Sequence, residues 1–263
     1  MDDSIYVNIE DERLDGNSLE FITKNVSTLI FTNGDDQKPE SEVVEFMEEL
    51  LRTELKNLMD RAVERTSEFG RRNVKFCDVL WCLKDQTRLL MRLFKFLKER
   101  DEIQLLECLS DNGKKRSFEH VLDALDSLAE QFPHLKQVAE SVDTYVEDAE
   151  KSQRMERIVE HLQALDSDAY IEFSKARRVS LCKNRRALSE WLCVTQPLDA
   201  ELIIVLNFLA SEVVAEMVEN AFKCKLEEAA VPGKDTSSPL CLKFYKMALK
   251  RNKGHLDTGF VLI

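Results

Sequence analysis

Glycine and proline are scarce in this 263-residue chain, at 7 and 5 residues. A turn-rich β-sandwich or a glycine-loop nucleotide fold needs far more, so the first expectation is a mostly helical protein. The seven cysteines (77, 82, 108, 182, 193, 224, 241) never form a C-x-x-C pair, and most fall inside helical runs. That excludes the usual disulfide and zinc frameworks and points to a reducing compartment. No phosphate loop, H-x-x-x-H pair or nucleophile elbow occurs, and the four histidines (120, 134, 161, 255) are scattered. The chain is therefore expected to be no enzyme, with no cofactor, no metal and no small-molecule substrate. Met1–Glu12 is acidic without an apolar core, and no apolar run approaches the ~18 residues of a membrane span. A cytosolic or nuclear chain without a membrane partner is expected.

Positive charge is also in deficit. Against 49 Asp+Glu stand 37 Lys+Arg, for a net charge of −12, which repels a phosphate backbone on average. Weak or no direct nucleic-acid binding is the expectation. What the chain does have is 44% hydrophobic residues, enough to bury the core of one large domain or two small ones.

Turn residues divide the chain into helices of uneven length. A short run, Phe21–Phe31, ends in the loop Thr32–Pro39. From Ser41 to Phe69 there is no Gly or Pro, and apolar residues recur at Val43, Met47, Leu50/Leu51, Leu55, Leu58 and Ala62, the spacing of a one-sided helix. Ser41 is its expected cap and Gly70 its end, and a short helix Phe76–Lys84 follows. The same grammar returns later: a short helix Asn184–Cys193, a loop Val194–Leu198, a long helix Asp199–Glu227 capped by Asp199, then a loop with Pro232 and Gly233, a Ser238-Pro239 cap, and a short helix Leu240–Lys250. Between the two sets, residues 101–168 carry 17 acidic and 7 basic residues. Helical stretches at Phe118–Phe132 and Met155–Leu165 make this segment read as an exposed helical connection.

Short, long, short is the layout of the histone fold, and particular strings make the resemblance specific. Arg71 precedes Asp78 by seven residues, as a loop arginine precedes a helix-opening aspartate in nucleosomal histones; a bidentate pair there would clasp loop to helix. Phe31-Thr32-Asn33-Gly34-Asp35-Asp36 resembles the 18-kDa histone-fold subunit of TFIID, and the C-terminal half resembles its 28-kDa partner. Tyr170-Ile171-Glu172-Phe173-Ser174-Lys175-Ala176-Arg177-Arg178-Val179-Ser180, Glu190-Trp191 and Asn207-Phe208-Leu209-Ala210-Ser211-Glu212-Val213-Val214 are similar to the suppressor-of-Ty family of SAGA coactivator subunits, which carry both halves in one chain.

The resemblance implies an all-α chain of two histone folds forming an intramolecular heterodimer-like pair. Its parts would be an acidic tail (1–17), a first fold (18–100), an acidic helical linker (101–164), a second fold (165–252) and a C-terminal tail (253–263). It further implies a nuclear, non-enzymatic transcription coactivator subunit among other subunits of a SAGA-like complex, one that binds the TATA-binding protein and helps deliver it to RNA polymerase II promoters. In that family the acidic residue of the Phe-Leu-x-x-Glu string is implicated in contact with the TATA-binding protein, whose outer surface is basic. Here that residue is Glu212. Glu216 and Glu219 stand at i+4 and i+7 from it, on one face away from Leu206, Leu209, Val213 and Met217; a plain solvated face has the same pattern.

The alternatives are a histone-fold DNA-binding module and a TFIID-like structural subunit. The basic run from Arg71, Arg72 and Lys75 through Lys84, Arg88, Arg92, Lys95, Lys98 and Arg100, and the cluster Arg177, Arg178, Lys183, Arg185 and Arg186, read either as phosphate contacts or as solvated faces and mates for the acidic linker. Trp81 and Trp191 are expected in the core.

Overall fold

The computed structural model describes residues 18–107, 117–126, 128, 131–143, 148–163, 165–181, 184–229 and 240–252. The tails 1–17 and 253–263, the Pro232-Gly233 loop, the Ser238-Pro239 cap and Lys183 lie outside them. The described residues are all-α, with no strand among them. In chain order the helices are α1 (Ser18–Thr32), α2 (Ser41–Glu68), α3 (Phe76–Cys82), α4 (Thr87–Glu107), α5 (Ser117–Asp126), α6 (Pro133–Glu140), α7 (Ala149–Gln163), α8 (Ser167–Ala176), α9 (Arg185–Leu192), α10 (Ala200–Ala229) and α11 (Leu242–Arg251), with a 3-10 turn at Ser141–Asp143.

Local chemistry sets most of these boundaries. Gly70, at φ +63°, ends α2 in a Schellman turn: its N–H donates to Ser67 O and that of Arg71 to Thr66 O, at 2.9 and 3.0 Å. Asp199 Oδ1 accepts from Leu202 N at 2.8 Å, Asn184 Oδ1 from Ala187 N at 3.0 Å and Asp166 Oδ1 from Ala169 N at 2.8 Å, capping α10, α9 and α8. Ser41 is not the cap expected of it. It is already helical, and Val43 N donates to Glu40 O. Pro133 opens α6, where a missing N–H costs nothing; the helix expected over 118–132 ends already at Asp126. The helix α4 was not anticipated as a separate element; α3 stops at Cys82, and Thr87 begins 21 residues of new helix.

The described residues group into two units, and each draws segments from both halves of the chain. The first comprises described residues 56–107, 117–126, 128, 131–143 and 194–205. Within it α5 packs on α3 and α4, and α6 on α4 and α5; Leu80, Leu83, Leu90, Phe94, Val121, Leu125 and Leu135 are buried. This part of the acidic segment is thus packed structure and not an exposed connection. The ammonium of Lys84 stands 4.7 Å from the Trp81 ring and 5.8 Å from the Phe132 ring, and His134 Nε2 lies 3.0 Å from Lys84 O. Trp81 is half-buried between Lys84 and the Arg65 guanidinium, 4.5 Å from its ring. Arg92 is buried, so the expected basic face of 71–100 is not one continuous solvated surface.

The second unit comprises described residues 18–55, 148–163, 165–181, 184–193, 206–229 and 240–252. Here α1 packs against α8 and α9. Phe31 meets Phe173 edge to face at 5.3 Å, with Ile158 completing a small buried cluster. Arg52 Nε donates to Trp191 O at 2.8 Å, tying α2 to the buried end of α9. Tyr245 of α11 is fully buried, and its hydroxyl donates to Asp35 Oδ2 at 2.6 Å.

Candidate partner-binding face on the second long helix

The three glutamates expected to share a face of α10 do so, but that face is covered. Side-chain exposure is 12% for Glu212, 21% for Glu216 and 11% for Glu219. What covers them is α7. Its start is set by Asp148, whose Oδ1 accepts from Lys151 N at 3.1 Å. Along it Arg154, Arg157, Ile158 and His161 recur at i, i+3, i+4 and i+7, one side of a helix. Arg154 Nη1 and Nη2 stand 3.8 and 4.0 Å from Glu212 Oε2 and Glu216 Oε2. Arg157 Nε donates to Glu219 Oε2 at 3.0 Å, and Lys223 Nζ lies 3.8 Å from Glu219 Oε1. Glu216 also accepts from Asn220 Nδ2 at 2.9 Å.

Arg157 reaches further, to the loop after α1. Its Nη2 and Nη1 donate to Asn33 O and Gly34 O at 2.9 and 3.3 Å, and its guanidinium lies 4.9 Å from the Phe222 ring. One side chain therefore joins α7, α10 and that loop. The expectation of a solvated acidic face is corrected accordingly. The sequence signal was the pairing of two arginines at i, i+3 with three glutamates at i, i+4, i+7, masked by the net negative charge of the linker as a whole.

Gly34 leaves room for this contact. It sits at φ +92°, and a Cβ there would stand 2.5 Å from Arg157 Nη1 and 3.5 Å from Ile158 Cγ1. Gly34→Ala is expected to lower stability by about 1–2 kcal/mol through the left-handed backbone and the displaced guanidinium. Chemical denaturation of the two proteins checks this; equal midpoints would mean that the loop relaxes freely.

The structure also brings Arg71 and Asp78 together. Asp78, with no exposed surface, accepts from Arg71 Nη1 and Nη2 at 2.9 and 2.5 Å, from Thr66 Oγ1 at 3.0 Å and from Lys75 N at 2.9 Å. Arg65 Nε approaches to 3.7 Å. Every contact is internal, so this is a stabilising clasp. Of the second basic cluster, Arg177 and Arg178 are exposed, and Arg186 Nε donates to Glu190 at 2.9 Å.

Among the described residues no group of three or more His, Cys, Asp or Glu side chains is placed to hold a metal ion, and no helix is long and apolar enough to cross a membrane. The five described cysteines are free thiols; burial pushes that of Cys82 up to about 11.

Residues 20–107 match the family described as transcription initiation factor IID, 18 kD subunit, a match that takes in all of α4. The chain is 24% identical over 223 residues to the SAGA complex subunit Spt3 of Schizosaccharomyces pombe, covering 76% of this chain and 72% of that protein.

Proposed function

We propose, from the premise that this all-α chain is a histone-fold protein of the Spt3-like kind, that it is a nuclear, non-enzymatic subunit of a SAGA-type transcription coactivator. In this reading its two histone-fold halves pair within one chain, as their contribution of segments to the same units supports. The acidic face of α10 binds the TATA-binding protein and helps place it at RNA polymerase II promoters.

The observation that carries the partner is that face itself. Glu212, Glu216 and Glu219 line up along α10, and two arginines already rest against them. A surface that accepts guanidinium groups from its own chain has the charge and spacing to accept them from a basic partner. Among the described residues the basic run of 71–100 is interrupted as a surface for phosphate, since Arg92 is buried and Lys84 is held over two aromatic rings.

Glu212→Lys is expected to weaken binding to the TATA-binding protein about tenfold or more, because attraction across the interface becomes repulsion. The measurement is a binding isotherm at two salt concentrations, with thermal unfolding as the control. Since the new lysine would also stand beside buried Arg154, Glu212→Gln is the companion variant: it removes the charge without adding a like one, and a smaller loss is expected. If Glu212→Lys binds as tightly as the parent at both salt concentrations, the assignment of this face to the TATA-binding protein is wrong.

A further inference from the structure

The covering helix α7 meets the acidic face through Arg154 and Arg157, while Ile158 and Leu162 pack in the apolar cluster with Phe31 and Phe173. Of its apolar side chains Ile158 is buried and Leu162 half-buried, while Met155 and Val159 remain 48% and 45% exposed. Arg154 is itself buried, yet its contacts with Glu212 and Glu216 lie at 3.8 and 4.0 Å, beyond hydrogen-bond range. Among the described residues its Nε finds no hydrogen-bond partner, and neither does the buried Nε2 of His161 two turns further along. Unpaired buried polar atoms raise the free energy of the state that contains them. Arg157 differs, with three hydrogen bonds and a ring beneath it. A helix with one well-satisfied anchor and half of these apolar side chains left exposed belongs toward the low-stability end of a structure, where local opening is cheap.

We infer that α7 is an internal stand-in for the partner's basic helix: Arg154 and Arg157 occupy the acidic face of α10, and the binding-competent state is the one in which α7 has left it. This deepens the reading above and rests on it. The matching partner is a helix presenting two arginines or lysines three or four residues apart, the spacing that α7 itself uses against glutamates at i, i+4 and i+7. If the covered state holds nine molecules in ten, the apparent affinity is about tenfold below the intrinsic one.

The experiment uses the full chain, recombinant TATA-binding protein as the probe, and amide hydrogen exchange of residues 149–163 as a second readout. Arg154→Gln leaves the bonds from Arg157 to the loop in place, and Arg154→Gln/Arg157→Gln removes both arginines. Exchange of 149–163 is expected to quicken in both, and affinity to rise roughly threefold in the single and about tenfold in the double variant. Faster exchange with unchanged or weaker affinity overturns the inference, and so does unchanged exchange. Should the double variant fail to fold, Arg154→Gln alone decides. Glu212→Lys, measured alongside, separates the two ideas: if it weakens binding while the arginine variants do not strengthen it, only the stand-in role falls. If it does not weaken binding, the partner assignment falls.

Discussion

Asp78→Ala is expected to lower the unfolding free energy by about 3–5 kcal/mol, the effect of stranding buried charge after removal of its mate. The carboxylate has no exposed surface and satisfies Arg71, Thr66 and the amide of Lys75 together. Without it, Arg65 is left beneath Trp81 with an Nε that has no other partner. Arg71→Ala costs less, about 1–3 kcal/mol, because Arg71 is partly exposed and Asp78 retains two neutral donors. The double-mutant cycle of these two substitutions is expected to give a coupling energy of about 1–3 kcal/mol, to be read from denaturant unfolding with each m-value compared with the parent's. A coupling near zero would show that the clasp contributes no free energy despite its geometry.

The second large effect lies at Asp35 and Tyr245. Tyr245→Ala removes a fully buried aromatic side chain and is expected to cost about 3–5 kcal/mol. Tyr245→Phe keeps the ring, takes the donor from a buried carboxyl, and costs about 1–3 kcal/mol. Burial raises the carboxyl of Asp35 above its ordinary 3.8, against the pull of the Tyr245 hydroxyl and the Asp36 amide. Burial and then the charge of Asp35 push the Tyr245 hydroxyl upward as well, so it stays a donor.

A raised folded-state value means that the folded protein holds this proton more firmly than the unfolded chain. The contribution of Asp35 is therefore fully present below about pH 3.8 and is lost as pH rises through the folded-state value. Asp35→Asn, which still accepts from Tyr245, is expected to gain on the parent steadily across that window and to hold the gain above it. Thermal unfolding of both proteins at a series of pH values gives this difference directly. A difference that does not change with pH would mean that the carboxyl titrates alike in both states.

The helices were legible because their causes are local. A 29-residue run without Gly or Pro, an aspartate at the head of α10 and a glycine at the foot of α2 act through neighbours within a turn or two. The Arg71–Asp78 clasp belongs to the same class, since seven residues of loop and first turn leave the two side chains little choice but to meet. Even here a local rule misplaced the cap of α2, where Ser41 joins the helix and Glu40 precedes it.

By itself, the sequence determined the all-α class, the cap of α10 at Asp199 and the end of α2 at Gly70, and that three glutamates fall on one face of α10. The tertiary structure alone decided what lies against that face. Arg157 and Glu219 are 62 residues apart and Asp35 and Tyr245 are 210 apart, and such pairs form only where the folded path of the chain brings them together. Composition averages the linker to a negative charge, whereas an interface is built from individual side chains. On α7, periodicity places Arg154 and Arg157 on the side that docks, while glutamates such as Glu156 and Glu160 stay exposed. Charge summed along a segment carries no direction; a helix face does.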